Sequence, residues 1–142
     1  MYLTYDEFIA FGGTLDIPTF NRYEFKARKL IDSYTANRVS KMAEVPDAVK
    51  RCMFELISQE AVFDTTLSNI TANSTKTGGS GLVASFNTDG YSESYAVGNG
   101  NAGNYLAELR KGVDNTQIQT ISDMLAYEYD DNNVKLLYRG VF

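Results

Sequence analysis

Few side chains in this 142-residue chain are equipped for chemistry. Histidine is absent and cysteine occurs once, at Cys52, which excludes histidine acid/base catalysis, Ser/His/Asp and Cys/His nucleophile arrangements, Cys/His metal sites and an intramolecular disulfide. Carboxylates remain, and the adjacent acid pairs are Asp6-Glu7 and Asp130-Asp131. General acid/base work requires two carboxyl groups converging in a pocket. Asp6-Glu7 instead falls where the first turn of a helix favours acids, and Asp130-Asp131 falls in a turn-forming Asp-Asp-Asn-Asn run. The glycines Gly98, Gly100 and Gly103 space as G-x-G-x-x-G, and Gly78-Gly-Ser-Gly81 forms a second cluster. A phosphate cradle needs a buried strand ahead of such a turn, or a Lys-Ser/Thr behind it, and neither is present, so both clusters read as loop. Cys52 lies in an apolar helical pattern and reads as a small buried hydrophobe.

Charge offers a second kind of site. The chain carries 13 basic and 18 acidic residues, net −5, yet eight of the basic residues lie between positions 22 and 51 against four acids, a local +4 that leaves −9 elsewhere. Arg22, Lys26 and Lys29 share one helical stripe by their spacing of four and three. Such a stripe reads first as a solvated helix face and second as a surface turned toward phosphates. A sequence pI near 4.7 argues against tight nonspecific nucleic-acid binding, whose affinity comes from neutralised phosphates.

These residues sit on elements that can be placed from spacing. Thr4 and Glu7 have capping-box spacing ahead of Phe8, Ile9 and Phe11, predicting a short first helix stopped by Gly12-Gly13. From Pro18, the positions Phe20, Tyr23, Ala27, Leu30, Ile31 and Tyr34 recur at steps of three and four, predicting a second helix to about Asn37. Pro46-Asp47 opens a third, with Val49, Cys52, Met53, Leu56, Ile57, Ala61 and Phe63 on a broad apolar side over about five turns. The short link Arg38 to Val45 favours an antiparallel pairing of the second and third helices. Tyr105, Leu106 and Leu109 predict a short helix ending at Gly112, and Asp114 or Asn115 is placed to cap a last helix carrying Ile118, Ile121, Met124 and Leu125.

Between the third helix and these last elements the composition changes. From Ser68 to Asn104, 23 of 37 residues are Ser, Thr, Asn or Gly, too polar to form a core alone. Leu82 to Phe86 and Tyr91 to Val97 flank Asn87-Thr-Asp-Gly90, a hairpin pattern that needs helices or a neighbouring molecule to lie against. The final stretch, Val134 to Phe142, is apolar to its last residue, so it is expected either to pack under its own domain or to dock on a partner. No stretch approaches the roughly 20 apolar residues of a membrane span, and the acidic N-terminus lacks the pattern of a signal peptide, so a soluble protein made in a cytoplasm is expected. The sum is a single mainly α domain over 1–142. It is expected as a small helical bundle of four to five helices with a flexible loop or β-hairpin at 68–104 and an extended C-terminal arm at 134–142, its core mostly Tyr, Phe, Leu and Ile. Ten tyrosines, the polar hairpin and the apolar arm suggest a binding or assembly module.

The ordered pattern of Tyr2-Leu-Thr-Tyr-Asp-Glu-Phe8, Phe25-Lys-Ala-Arg-Lys-Leu-Ile-Asp32, Val45-Pro-Asp-Ala-Val-Lys50, Ser85-Phe-Asn-Thr-Asp-Gly-Tyr-Ser92 and Leu136-Leu-Tyr-Arg-Gly-Val141 resembles the small head-to-tail connector (adaptor or head-completion) proteins of long-tailed bacteriophages and related prophages. The terminal motif is its most distinctive part. The resemblance implies a non-enzymatic virion protein without cofactor or metal. It would assemble in the host cytoplasm as a ring, usually of twelve copies, at the head-tail junction, between the portal protein and a tail-completion or stopper protein. Genomic DNA would pass through the ring without sequence-specific binding. By position, Leu136, Leu137, Tyr138, Arg139, Gly140, Val141 and Phe142 map onto the arm expected to bind the partner, with Tyr138 and Arg139 as anchors. Phe86, Asp89, Tyr91 and Tyr95 map onto subunit or channel contacts; apart from the resemblance, Arg22, Lys26 and Lys29 are candidate DNA-facing residues by their charge and helical spacing. Two other classes stay open beside it: a small cytoplasmic nucleic-acid-binding or regulatory protein using the basic helix face, and an enzyme with a carboxylate site at Asp130 or Asp131.

Overall fold

The structure, a computed structural model, describes residues 1–76 and 99–138. Four α-helices follow one another: α1 (Tyr5–Ala10), α2 (Ile17–Thr35), α3 (Asp47–Lys76) and α4 (Asn99–Leu125), with a short 3-10 turn at Val39–Lys41 between α2 and α3. The protein is mainly helical, and among the described residues β-pairing is limited to one antiparallel bridge, Tyr129 with Lys135. The expected hairpin from Leu82 to Val97, with Phe86, Asp89, Tyr91 and Tyr95, lies outside the described residues, as do Arg139, Gly140, Val141 and Phe142. Two compact units are present: Met1–Glu60 with Thr116–Phe142, and Ala61–Asn115.

The first unit is built on local signals that work as the spacing predicts. The Thr4 hydroxyl accepts the Glu7 N–H at 3.2 Å while the Glu7 carboxylate accepts the Thr4 N–H at 2.9 Å, closing the capping box of α1. Glu7 also takes a 2.6 Å hydrogen bond from the Lys50 ammonium of α3. That bond, with the Thr4 amide, holds the Glu7 carboxyl below its ordinary range and raises the Lys50 ammonium above its own. Gly12, at φ +101°, supplies the left-handed turn that lets the chain reverse after α1. The helix α2 stops where Ala36 and Asn37 both adopt left-handed φ (51° and 59°), and their N–H groups return to the Asp32 carbonyl.

Apolar faces then converge. Phe8 of α1 lies 5.0 Å, centroid to centroid, from Phe20 of α2 and 5.5 Å from Phe54 of α3, in tilted ring contacts. Below these rings, Ile31, Val39, Val49, Cys52, Met53, Leu56, Ile57, Ile121, Leu125 and Leu136 are buried. On α3 the buried positions run 49, 52, 53, 56, 57 and 60, one continuous helix face. Leu3 and Tyr2 close the unit from the N-terminus. The Tyr2 N–H donates to buried Glu24 Oε1 at 3.0 Å and its hydroxyl donates to Asp32, so two residues eight apart on α2 receive one strap. Burial, and then the neighbouring Asp32 carboxylate, push the Tyr2 hydroxyl above its ordinary value. Glu24 is further paired with Arg28 at 3.5 Å, which compensates a carboxylate that is almost wholly out of water.

Three sequence expectations are corrected. The helix expected to end at Gly112 does not end there, and no new helix is capped at Asp114 or Asn115: α4 runs unbroken through all three. A glycine inside a helix costs only about 1 kcal/mol, and the Arg110 to Asp114 ion pair at 2.9 Å spans the site one turn apart. Asp114 thus acts as an intrahelical partner rather than a cap. The polar segment expected as loop from Ser68 to Asn104 is helical at both ends, since α3 continues to Lys76 and α4 starts at Asn99, with Gly100 and Gly103 inside its first turns. Ser, Thr and Asn are only modestly poorer helix formers than Ala. Upstream in α3, Thr65 and Thr66 return their hydroxyls to the carbonyls four residues back, at 2.9 Å each. In the second unit Arg110 also lies over the Phe63 ring, 5.1 Å from its centroid, so Phe63 serves this unit rather than the core around Leu56.

Candidate docking site at the C-terminal segment

The site begins where α4 ends. After Leu125 the chain turns back on itself through Asp130 to Asn133. The Asp130 Oδ1 accepts the N–H groups of Asn132 and Val134, both at 2.9 Å, its N–H donates to the Val134 carbonyl at 2.8 Å, and its carbonyl accepts the Asn133 N–H at 2.9 Å. Asn133 takes φ +61°, a conformation asparagine tolerates better than most residues. The Leu136 N–H reaches the Glu128 carbonyl at 2.9 Å, and this register turns the Leu136 side chain into the core. Asp131 is engaged as well: its Oδ2 accepts the Ala43 N–H from the connection between α2 and α3 at 2.9 Å. Asp130 therefore builds the turn, and Asp131 ties it to the connection between α2 and α3.

Arg38, just beyond α2, closes over this turn. Its Nη1 donates to the carbonyls of Leu136 at 3.1 Å, Tyr138, and Thr35 at 3.4 Å. Its Nε stands 4.0 Å from Asp130 Oδ2, both side chains largely covered at 10% and 12% exposed. Its guanidinium also faces the Tyr138 ring, 5.9 Å from the centroid. In the sequence Arg38 is one of eight basic residues and opens the link to Val45; its partners in the C-terminal segment lie 98 and 100 positions away, and no local spacing records them.

Of the arm residues, the described ones divide. Leu136 is fully buried in the chain's own core, so its side chain is not available to a partner, and of the two expectations for the segment it is the packed one that holds at this position. Leu137 is half-buried, and Tyr138 is 47% exposed. Two further tyrosines flank the turn on the surface: Tyr127, 82% exposed, and Tyr129. Large amphipathic side chains of this kind are enriched in protein interfaces. The sequence carries no signal for their exposure, because a Tyr-x-Tyr pair lying beyond the end of a helix has no period to reveal it.

The basic stripe is placed on α2 as its spacing requires, and each member has a local partner. Arg22 donates to the Tyr23 hydroxyl at 3.0 Å and lies over that ring, Lys26 pairs with buried Glu60 at 3.7 Å, and Lys29 lies 5.6 Å from the centroid of exposed Phe25. Among the described residues no group of three or more Cys, Asp or Glu side chains is gathered as a metal site would require, and no helix is long and apolar enough to cross a membrane.

Cys52 is fully buried, and desolvation, with a smaller push from Glu55, drives its thiol up to about 12. A thiol-specific reagent at pH 8 is accordingly expected to leave Cys52 unmodified in the folded protein and to modify it at the rate of unfolding. Labelling within minutes under native conditions, followed by mass spectrometry, would show that the thiol is accessible.

No protein family, curated protein or solved structure matches this chain at a significant level.

Proposed function

We propose that this chain is a structural, non-enzymatic protein of the head-tail joint of a long-tailed bacteriophage. In this reading a helical bundle with a β-hairpin and a C-terminal arm assembles as a ring, usually of twelve copies, between the portal of the DNA-filled head and the tail-completion or stopper protein. The ring extends the DNA channel and offers the tail a docking surface, in the virion at the head-tail junction, after assembly in the host cytoplasm. The reading is supported by the order of sequence motifs, by the mainly helical fold and by the tyrosine-rich surface around the C-terminal turn. One observation carries it: Leu136 is buried and its carbonyl is held by Arg38, while Tyr138, two residues on, is exposed and leads directly into Arg139, Gly140, Val141 and Phe142. An apolar segment that starts from a clamped point reaches a neighbour at lower ordering cost than a free tail. In the same reading Phe86, Asp89, Tyr91 and Tyr95 meet a neighbouring subunit or the channel, and Arg22, Lys26 and Lys29 face DNA.

The test is capture of the portal protein from the same genome by the tagged chain, imaged by electron microscopy. Because Leu136 belongs to the core, the informative truncation starts at Arg139 and leaves Val134 to Tyr138 in place. Removal of Arg139 to Phe142 is expected to keep the helical content and weaken portal capture at least about thirtyfold, the loss of about 2 kcal/mol typical of an interface anchor. A truncated chain that still caps portals at full occupancy would remove the arm from the joint. A full-length chain that stays folded yet apart from any portal would remove the reading as a whole.

A further inference from the structure

We infer that Arg38 is the positioning residue of the C-terminal segment: it sets the point and direction at which the chain leaves the helical unit, and so presents the residues after Tyr138 to a partner. The presentation step rests on the docking role proposed above; the positioning step stands on geometry alone. Arg38 holds main-chain atoms of the segment, the carbonyls of Leu136 and Tyr138, and has the Tyr138 ring beside it. It is braced from behind by the Thr35 carbonyl at the end of α2 and by Asp130, the residue that organises the turn. One permanently charged guanidinium, through Nη1 on the carbonyls and Nε toward Asp130, therefore ties the C-terminus of α2 to the turn after α4 and the segment that follows it, which lie roughly a hundred residues away in sequence. A hydrophobic anchor alone would not do this. Leu136 fixes the depth of the segment and the Tyr138 N–H closes a turn on the Lys135 carbonyl at 3.0 Å; gripping the carbonyls of both residues 136 and 138 ties that turn to the helical unit. Guanidinium hydrogen bonds to carbonyls are charge-assisted and stronger than neutral ones, and the bond to the Leu136 carbonyl is partly shielded from water while that to Tyr138 is exposed.

The inference is tested in the full-length chain by amide hydrogen exchange on Arg38→Met and Arg38→Lys. In Arg38→Met the amides of Leu136, which donates to Glu128, and of Tyr138, which donates to Lys135, are expected to exchange at least about tenfold faster, with the core amides of α2 and α3 unchanged. Arg38→Lys keeps the charge but loses the fork, and an intermediate increase confined to the same amides is expected. Unchanged exchange at 136 and 138, or an equal increase throughout the helices, overturns the positioning role. Should Arg38→Met fail to fold, the same two criteria apply to Arg38→Lys. Portal capture is read in parallel: a fall of about tenfold in the locally loosened variant supports presentation, and undiminished capture overturns it. If the wild-type chain captures no portal, the head-tail reading fails on its own, and the exchange result still decides the role of Arg38.

Discussion

Phe8→Ala is expected to destabilise the protein by about 3–5 kcal/mol, the range for removing a large aromatic side chain from a packed core. Phe8 is 2% exposed and is the ring at which three helices meet: Tyr5 of its own helix, Phe20 of α2 and Phe54 of α3 all lie within 6.4 Å, centroid to centroid. Deleting it leaves a cavity whose walls are themselves aromatic and held by α2 and α3, so collapse of the site cannot recover much of the loss. Chemical denaturation should show the midpoint falling at nearly constant slope, and thermal unfolding a drop of roughly 10 °C for a chain of this length. A loss below about 1 kcal/mol would mean that α1 does not hold the core together.

Gly13→Ala should be damaging from the other direction. A Cβ at residue 13 would stand 2.2 Å from Phe8 Cε1, 2.3 Å from Cζ and 2.5 Å from Cδ1, whereas carbon atoms in contact prefer roughly 3.5–4.0 Å. The ring cannot swing aside because Phe20 and Phe54 confine it, so the overlap must be relieved by moving α1 or the turn, at about 1–3 kcal/mol. Combining it with Phe8→Leu supplies the critical measurement. The smaller side chain vacates the space, so the double variant should be less destabilised than the sum of the single ones, with a coupling of about 0.5–3 kcal/mol. Simple additivity in a denaturation cycle would rule out the proposed contact. Gly12, one residue earlier, is glycine for another reason: nothing lies within 4 Å of its would-be Cβ, and only its backbone, at φ +101°, restricts the choice.

Much of the helical organisation was legible because it is local. The capping box at Thr4 and Glu7, the proline-led start of α2 and the apolar positions of α3 each involve residues three or four apart, and a helix brings such residues together whatever the rest of the chain does. The burial of Cys52 followed from the same period. Errors arose where a local rule carried too little energy to decide. Gly112 reads as a stop and the Ser/Thr/Asn-rich run as loop, yet neither preference exceeds about 1 kcal/mol per residue; α4 passes through Gly112, and α3 and α4 extend into the two ends of the run, to Lys76 and from Asn99.

The docking surface divides along the same line. Asp130-Asp131 could be assigned to a turn because the asparagines beside them carry turn chemistry, and Val134 to Phe142 could be singled out as apolar. That Leu136 is inside and Tyr138 outside does not follow from strand alternation, which puts residues two apart on one face; after the bridge between Tyr129 and Lys135 the chain turns, with the Tyr138 N–H on the Lys135 carbonyl at 3.0 Å, and the turn brings Tyr138 to the surface. Glu24 and Glu60 are likewise invisible as buried groups in the sequence, where each resembles any helix-surface glutamate; in the fold the Tyr2 amide and Arg28 reach the first and Lys26 reaches the second, which offsets part of the cost of burial.

By itself, then, the sequence determined the helical class, the apolar faces, the caps and the lack of histidine or multi-cysteine chemistry, since composition and contacts within one helical turn suffice for these. The tertiary structure decided which carboxylates are buried, which end-segment residues are core and which are surface, and that Arg38 governs the exit of the chain. Those outcomes depend on pairs such as Arg38 with Leu136 and Tyr2 with Asp32, separated by 98 and 30 residues, and a hydrogen bond closed over such a distance leaves no periodic trace in the sequence on either side.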